Sequence, residues 1–123
     1  MDARLREGIS LFNTRRFFES HEAWEQFYQD TTVEVDKGFV EGLIQLAAAL
    51  RLYTEFGEVK GPVRMVYQAL IRFENYQPAF LNIKVRQLCE EMEAWAKQTE
   101  ASGSPDSSRE IPKIRLQRFG LFS

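Results

Sequence analysis

The 123-residue sequence has one histidine and one cysteine, and this scarcity excludes several kinds of site. Because Cys89 has no second cysteine to pair with, an internal disulfide and a cysteine zinc cluster are both excluded. A catalytic zinc site typically takes three protein ligands, often several of them histidines, so a lone His21 predicts no metal site. No nucleophilic triad and no glycine-rich phosphate loop is evident either. We therefore expect no metal and no cofactor.

A charge excess and a long apolar run are missing as well. The 16 basic and 18 acidic side chains leave a net charge of −2, which gives no broad basic surface for nucleic acid. The longest apolar run, about 38–50, is interrupted by Glu41 and Gln45 and is shorter than the roughly 20 residues of a membrane helix. The first residues, Met1 to Arg4, lack the apolar core of a signal peptide. We expect a cytoplasmic protein that binds neither nucleic acid nor membrane.

Apolar residues are abundant, at 44% of the chain, and they recur at helical spacing. This spacing predicts one helix ending near Asn13 and four more over about 15–29, 35–56, 62–77 and 82–99. The connection after Asn13 is so short that the first two helices should form a hairpin. The third helix is apolar almost all round, which is typical of a central, buried helix. The sequence thus predicts an all-α fold, a single compact bundle of about five helices that opens with a helical hairpin.

The end of the sequence differs in composition from the helices. We assign residues 1–100 to the helical domain and residues 101–123 to a flexible linker and an extended C-terminal tail. Ser102–Ser108 has the composition of a linker, and the segment after it alternates apolar and basic residues. This tail should dock on the helical body through Ile111, Ile114 and Leu116 and leave Lys113 and Arg115 solvated.

Polar side chains interrupt the apolar faces of the second and third helices. On a helical wheel, His21 falls inside the apolar arc of the second helix, Glu25 lies on its flank, and Tyr28 lies two turns from His21. These three are the candidate catalytic residues, with Glu25 orienting His21 as proton donor or acceptor. Candidate ligand-binding residues are Gln45 and Glu41 on the third helix and Glu22 on the second. A His–Glu pair in a helical core is more often structural than catalytic, so both interpretations stay open.

Two stretches together resemble a known family, domain of unknown function 309. One is His21-xxx-Glu25-xx-Tyr28, which is similar to the family's HxxxExxW motif. The other is Glu41–Leu50, which is similar to its QGLIQLAAAL-like helix. The resemblance implies a compact all-helical fold with the motif lining a shallow cleft, and it implies no reaction. Tyr28 replaces the usual Trp, Glu41 stands where Gln is common, and Arg51-Leu52-Tyr53 stands where members often carry another His.

Two functions follow as hypotheses, and whether the protein is an enzyme stays open. In the first, His21, Glu25, Tyr28 and Gln45 line a small polar cleft that binds a small ligand or performs acid–base chemistry. In the second, the helical hairpin is a protein-interaction or scaffold module without catalysis. The partner is accordingly an unknown small molecule or protein, and a homodimer stays open. A cleft that is open to water favours the first hypothesis, and full burial of the polar groups favours the second.

Overall fold

The computed structural model describes residues 1–117, and it confirms the all-α prediction with five α-helices. A short 3₁₀ helix, Glu74–Tyr76, follows the fourth of them. In the described part of the chain, isolated antiparallel β-bridges join Phe80 to Ile83 and Ile83 to Leu116. The helices are α1 (Ala3–Asn13), α2 (Phe17–Asp30), α3 (Glu34–Phe56), α4 (Lys60–Phe73) and α5 (Val85–Ser102).

The first two helices form the predicted hairpin. The side chain of Asp2 caps α1 by accepting a hydrogen bond from the Arg4 N–H at 2.8 Å. Three residues connect α1 to α2, so the two helices return antiparallel along each other. Gly8 permits their close approach, because a Cβ atom there would lie 2.2 Å from Nε1 of Trp24.

Helix α3 is central, as its apolar composition predicts, and packs against α2 on one side and α4 on the other. Gly42 lets α4 approach closely, since a Cβ atom there would lie 2.5 Å from the ring of Phe73. The helix ends at Gly57, whose φ of 67° is the left-handed conformation that commonly terminates a helix. The fully buried residues of α3 are Phe39, Val40, Leu43, Leu46, Ala47, Ala49 and Leu50.

The start of α5 differs from the prediction by three residues. We predict a helix from Asn82, but it begins at Val85. Leu81 and Asn82 have positive φ values of 47° and 66°, which no helix interior contains. Ile83 and Phe80 exchange both backbone hydrogen bonds, at 2.8 and 3.1 Å, and so hold this segment as a tight turn. A local turn therefore overrides the helical pattern of the side chains.

The tail docks on the helical body through two of its three predicted apolar residues. Ile111 is 7% exposed and Ile114 is 3% exposed, while Lys113 and Arg115 are exposed, as predicted. Leu116 was expected to be buried but is 37% exposed. Its backbone pairs with that of Ile83, and this bridge positions the main chain without burying the side chain. The part of the predicted tail after Gln117 lies outside the described residues.

The side chain of Asn13 holds the tail against the end of α1. Its Nδ2 donates to the carbonyl oxygen of Ile114 at 2.9 Å, and its Oδ1 accepts from the Ile114 N–H at 2.7 Å. The amide of Asn13 thus satisfies both backbone groups of Ile114, as a peptide group of a neighbouring β-strand would.

The segment predicted to be a linker lies against the end of α3. Ser102 belongs to the last turn of α5, and Gly103 ends that helix with a φ of 71°. The hydroxyl of Tyr53 accepts from the Asp106 N–H at 2.9 Å and lies 3.2 Å from the Asp106 carbonyl oxygen, to which it donates. Composition alone does not reveal such contacts.

Candidate functional site

Two hydrogen bonds fix α2 against α1 and so determine which of its side chains face α3. The fully buried Trp24 donates from Nε1 to the carbonyl oxygen of Leu5 at 3.1 Å. Ser20, also fully buried, donates its hydroxyl proton to the carbonyl oxygen of Gly8 at 2.8 Å. The buried polar groups of Trp24 and Ser20 are therefore both satisfied. These hydrogen bonds fix the orientation of α2 about its own axis, and in that orientation His21 lies at the edge of the buried face.

His21 lies at the margin of the buried face of α2. The helical wheel directs it toward the interior or its margin; it is half-buried at the margin, and Ser20 takes the buried position. Ser20 escaped the sequence analysis because a serine is usually read as a surface residue. Its spacing of three from Phe17 and four from Trp24 is the signal that places it on the same helical face.

His21 lines a cavity of about 220 Å³ between α2 and α3. The exposed Glu22 and the half-buried Arg51 supply its other polar groups. Because these three side chains keep part of their surface in water, the cavity is open to solvent. The remaining lining is apolar and consists of Phe17, Phe18, Ala47, Ala48, Leu52 and Phe56.

Glu25 and Tyr28 continue along α2 and do not line this cavity. The ring of Tyr28 is half-buried, and Nζ of Lys37 lies 4.8 Å from its centre. Glu25 is half-buried and makes no hydrogen bond or ion pair within residues 1–117; the side-chain bonds of α2 there belong to other residues. The expected hydrogen bond between Glu25 and His21 is therefore absent from the described residues. A half-exposed pair one turn apart contributes only about 0.2–0.5 kcal/mol, so water competes easily with it.

Gln45 and Glu41 face α4, whereas we expect them beside His21. Nε2 of Gln45 donates to Oε1 of Gln68 at 2.8 Å, and Glu41 forms an ion pair with Arg72 at 3.0 Å. The reason is the helical rotation of 100° per residue. Glu41 and Gln45 are four apart and share the side of α3 that faces α4. The side that faces α2 carries Arg51 instead.

Arg51 is the polar residue of this cavity that was not among the predicted site residues. Its guanidinium carbon lies 4.4 Å from the ring centre of Phe18 and 5.7 Å from that of Phe56. Its Nε donates to Glu55 at 3.1 Å, one turn further along α3. The signal in the sequence is the departure from the resemblance in this stretch, because Arg51-Leu52-Tyr53 stands where members of that family often carry another histidine.

The acidic residues of α2 and α3 are dispersed over the surface. Of the three carboxylates predicted at the site, Glu22 lines the cavity, Glu25 lies further along α2 and Glu41 pairs with Arg72. Glu55 pairs with Arg51. Across residues 1–117, no three His, Cys, Asp or Glu side chains form a group that could hold a metal ion.

A second cavity, of about 530 Å³, lies between α4 and α5 and contains the cysteine. Cys89 is half-buried, and burial raises the pKa of its thiol from 9.0 to about 11. A hydrogen bond from Gln77 opposes this rise in pKa, and the carboxylates of Glu90 and Glu93 add to it. The thiol is therefore protonated at neutral pH, and a nucleophilic role for it is disfavoured.

We expect the native chain to react slowly with iodoacetamide. A pKa about two units above 9.0 leaves about a hundredfold less thiolate at pH 8, so alkylation of Cys89 should be slower than in the unfolded chain by about that factor. The native rate should keep rising with pH until about 11. Mass spectrometry of timed samples, with and without denaturant, measures both rates. Equal rates in the two states would contradict the raised pKa.

The geometry defines this molecule as an α-helical bundle with a small, open, largely apolar cavity between its second and third helices. A family model described as "Domain of unknown function (DUF309)" matches residues 5–65, which include most of α1, all of α2 and α3, and both stretches that carry the resemblance. The chain belongs to this family. No curated protein matches the sequence. No helix within residues 1–117 has the length and apolar character needed to cross a membrane.

Proposed function

We propose that the protein binds a small organic molecule in the cavity between α2 and α3, with His21 as a polar contact. The observation that carries this proposal is the position of His21, which is half-buried in an open cavity whose other walls are mostly apolar. Ligand sites combine this kind of apolar lining with a few polar groups that orient the ligand. A volume of about 220 Å³ equals about seven water-sized volumes of 30 Å³ each, which suits a compact molecule.

The contacts of His21 favour binding over a structural role. A buried structural histidine normally has a hydrogen-bond partner within the protein. The side-chain hydrogen bonds of α2 within residues 1–117 involve Glu19, Ser20, Trp24 and Asp30, so the imidazole of His21 is available to a ligand. For acid–base chemistry, Glu25 would have to orient this imidazole. Because no hydrogen bond joins the two in the described chain, we propose binding rather than catalysis.

A protein-interaction module is the second candidate function. Phe18 is 40% exposed and Phe56 is 60% exposed, and both line the mouth of the cavity beside Arg51. Aromatic residues and arginine are enriched at protein interfaces. On this alternative a partner's side chain fills the cavity, and free small compounds leave the melting temperature unchanged.

A thermal-shift screen of small organic compounds tests the proposed function. A compound that binds the native state raises the melting temperature, and at a hundredfold excess over Kd it stabilises the fold by about 2.7 kcal/mol. His21→Phe should weaken any such binding by about tenfold, since it removes a hydrogen-bonding group. Gln29→Ala, an exposed change on the same helix, is the matched control and should leave binding unchanged. The proposal is rejected if the screen finds no compound whose binding is weakened by His21→Phe.

The stability of two variants separates a binding role from a structural one. We expect His21→Phe and Glu25→Leu to keep the free energy of unfolding within about 0.5 kcal/mol or to raise it. Neither side chain has a hydrogen-bond partner within residues 1–117 that the change would leave unsatisfied. Urea denaturation measures this free energy, and Glu25→Gln is the conservative control. If both changes destabilise clearly and the screen finds no ligand, the polar residues are part of a scaffold.

A further inference from the structure

Arg51 is held at the mouth of the cavity by two aromatic rings. Its guanidinium carbon lies 4.4 Å from the ring centre of Phe18 and 5.7 Å from that of Phe56. Both distances are within the roughly 6 Å over which a cation is attracted to the face of a ring. Half-exposed arginines usually sample many rotamers, and these contacts restrict Arg51 to an orientation beside the cavity. The cation is therefore positioned before any ligand arrives.

The hydrogen bonds of Arg51 leave one edge of its guanidinium open. Its Nε donates to Oε2 of Glu55 at 3.1 Å, and this is the hydrogen bond of its side chain within residues 1–117. A guanidinium carries five N–H donors in a planar fork. The four donors on the two Nη atoms remain for another acceptor. Two parallel N–H donors match the two oxygens of a carboxylate or phosphate.

The rest of the cavity suits a compact apolar group. Ala47 and Ala48 leave space on α3 that larger side chains would fill, and Leu52 continues the apolar lining. The exposed faces of Phe18 and Phe56 provide flat surfaces on which a planar body can stack. A ligand of this cavity would therefore have an apolar body beside its polar group.

The charges around the cavity determine the sign of that polar group. Arg51 supplies a fixed positive charge, and Glu55 occupies its Nε but not its Nη atoms. Glu22 is the carboxylate that also lines the cavity, and it is exposed on the α2 side. An anionic ligand thus gains a paired contact with the Nη atoms of Arg51 and experiences repulsion from Glu22 and from Glu55, which solvent partly screens.

We propose that this cavity selects organic anions that have a compact, preferably planar apolar body. The acid group of such a ligand is a carboxylate or a phosphate monoester. The acid group pairs with the two Nη atoms of Arg51, His21 supplies a second polar contact, and the aromatic rings contact the body. This inference rests on the proposed function, because it names the class of ligand for the same cavity.

Titration of the isotope-labelled full chain with a matched series of compounds tests the inference. Benzoate and phenyl phosphate are the anionic probes, benzamide is the neutral isostere and benzylamine is the cationic one. Amide resonances of Ala47 and Ala48 in nitrogen–proton correlation spectra report binding in the cavity. We expect benzoate to bind at least about tenfold more tightly than benzamide, and benzylamine to bind more weakly still.

Four variants locate the source of the preference for anions. Arg51→Gln should abolish the preference, and Arg51→Lys should retain only part of it, because an ammonium cannot form the bidentate contact. Glu22→Gln should tighten benzoate binding by roughly two- to threefold, since it removes a repulsive charge. Arg72→Gln is the matched control: it removes the same charge from α4, outside the cavity, and should leave the preference intact. Circular dichroism confirms that each variant is folded.

The outcomes separate this inference from the proposed function. If benzamide binds as tightly as benzoate, or if the preference survives in Arg51→Gln, the selection of anions is wrong while small-molecule binding in the cavity stands. If no probe of any charge shifts the resonances of Ala47 and Ala48 at millimolar concentration, both proposals fail.

Discussion

Gly8→Ala is expected to destabilise the protein by about 2–3 kcal/mol or more. The new Cβ atom would lie 2.2 Å from Nε1 and 2.4 Å from Cδ1 of Trp24, well inside any allowed contact. The indole is fully buried and donates to the carbonyl oxygen of Leu5, so it cannot move without losing packing and a hydrogen bond. Overpacking a dense core typically costs about 1–3 kcal/mol before that hydrogen bond is counted. Chemical denaturation measures the change.

Gly61→Ala is the matched control for this prediction. Gly61 lies in the first turn of α4, and a Cβ atom there would meet no atom within 4 Å outside its chain neighbours and its own helix backbone. The same substitution should therefore change the free energy of unfolding by at most about 1 kcal/mol, because the entropy that alanine removes from the unfolded chain and the crowding of its Cβ by Pro62 oppose each other. Equal effects at the two glycines would contradict the close approach of α1 and α2.

Ile114→Ala is expected to lower the free energy of unfolding by about 2–5 kcal/mol, the usual range for a buried isoleucine. Ile114 is 3% exposed, and Asn13 bonds both its N–H and its carbonyl group. Truncation of the chain after Ser108 removes the same contacts together with those of Ile111 and should lower the melting temperature as well. Differential scanning calorimetry measures both variants.

Lys113→Ala is the control for Ile114→Ala. Lys113 is exposed and adjacent in sequence, so its replacement should change the free energy of unfolding by no more than about 0.5 kcal/mol. An unchanged melting curve for Ile114→Ala, or for the truncated chain, would mean that the tail does not dock in solution.

The sequence predicted the helices well because their signals are local. Gly57 ends α3 as its position after the last apolar residue indicates, and the short connection after Asn13 produces the hairpin. The start of α5 could not be predicted in the same way. Its first expected turn, at Asn82, is replaced by a backbone turn that residues 80–83 close among themselves, while Leu116 pairs with Ile83 from far along the chain.

The candidate site was predictable in part, and the limit lies in rotation about α3. The candidate residues on α2 included His21 and Glu22, and both line the cavity between α2 and α3. The sequence did not show that Gln45 turns toward α4, because an error of one helical position changes which neighbour a side chain meets. Arg51 was missed for a different reason: its role depends on stacking against Phe18 and Phe56, which are 33 residues before it and five after it.

The contact between Asn13 and Ile114 has a consequence for how the molecule unfolds. The principal helix contacts run in chain order, from α1 with α2 to α4 with α5, as in a short solenoid whose ends can fray independently. Asn13 binds a residue 101 positions later and so joins the first helix to the last described segment. The contact closes the linear array of helices, so opening of α1 near Asn13 also breaks two hydrogen bonds to the tail that follows α5. Local opening of α1 is thereby coupled to release of the tail. Because the two residues are far apart in sequence, their contact is entropically costly to form and slows folding.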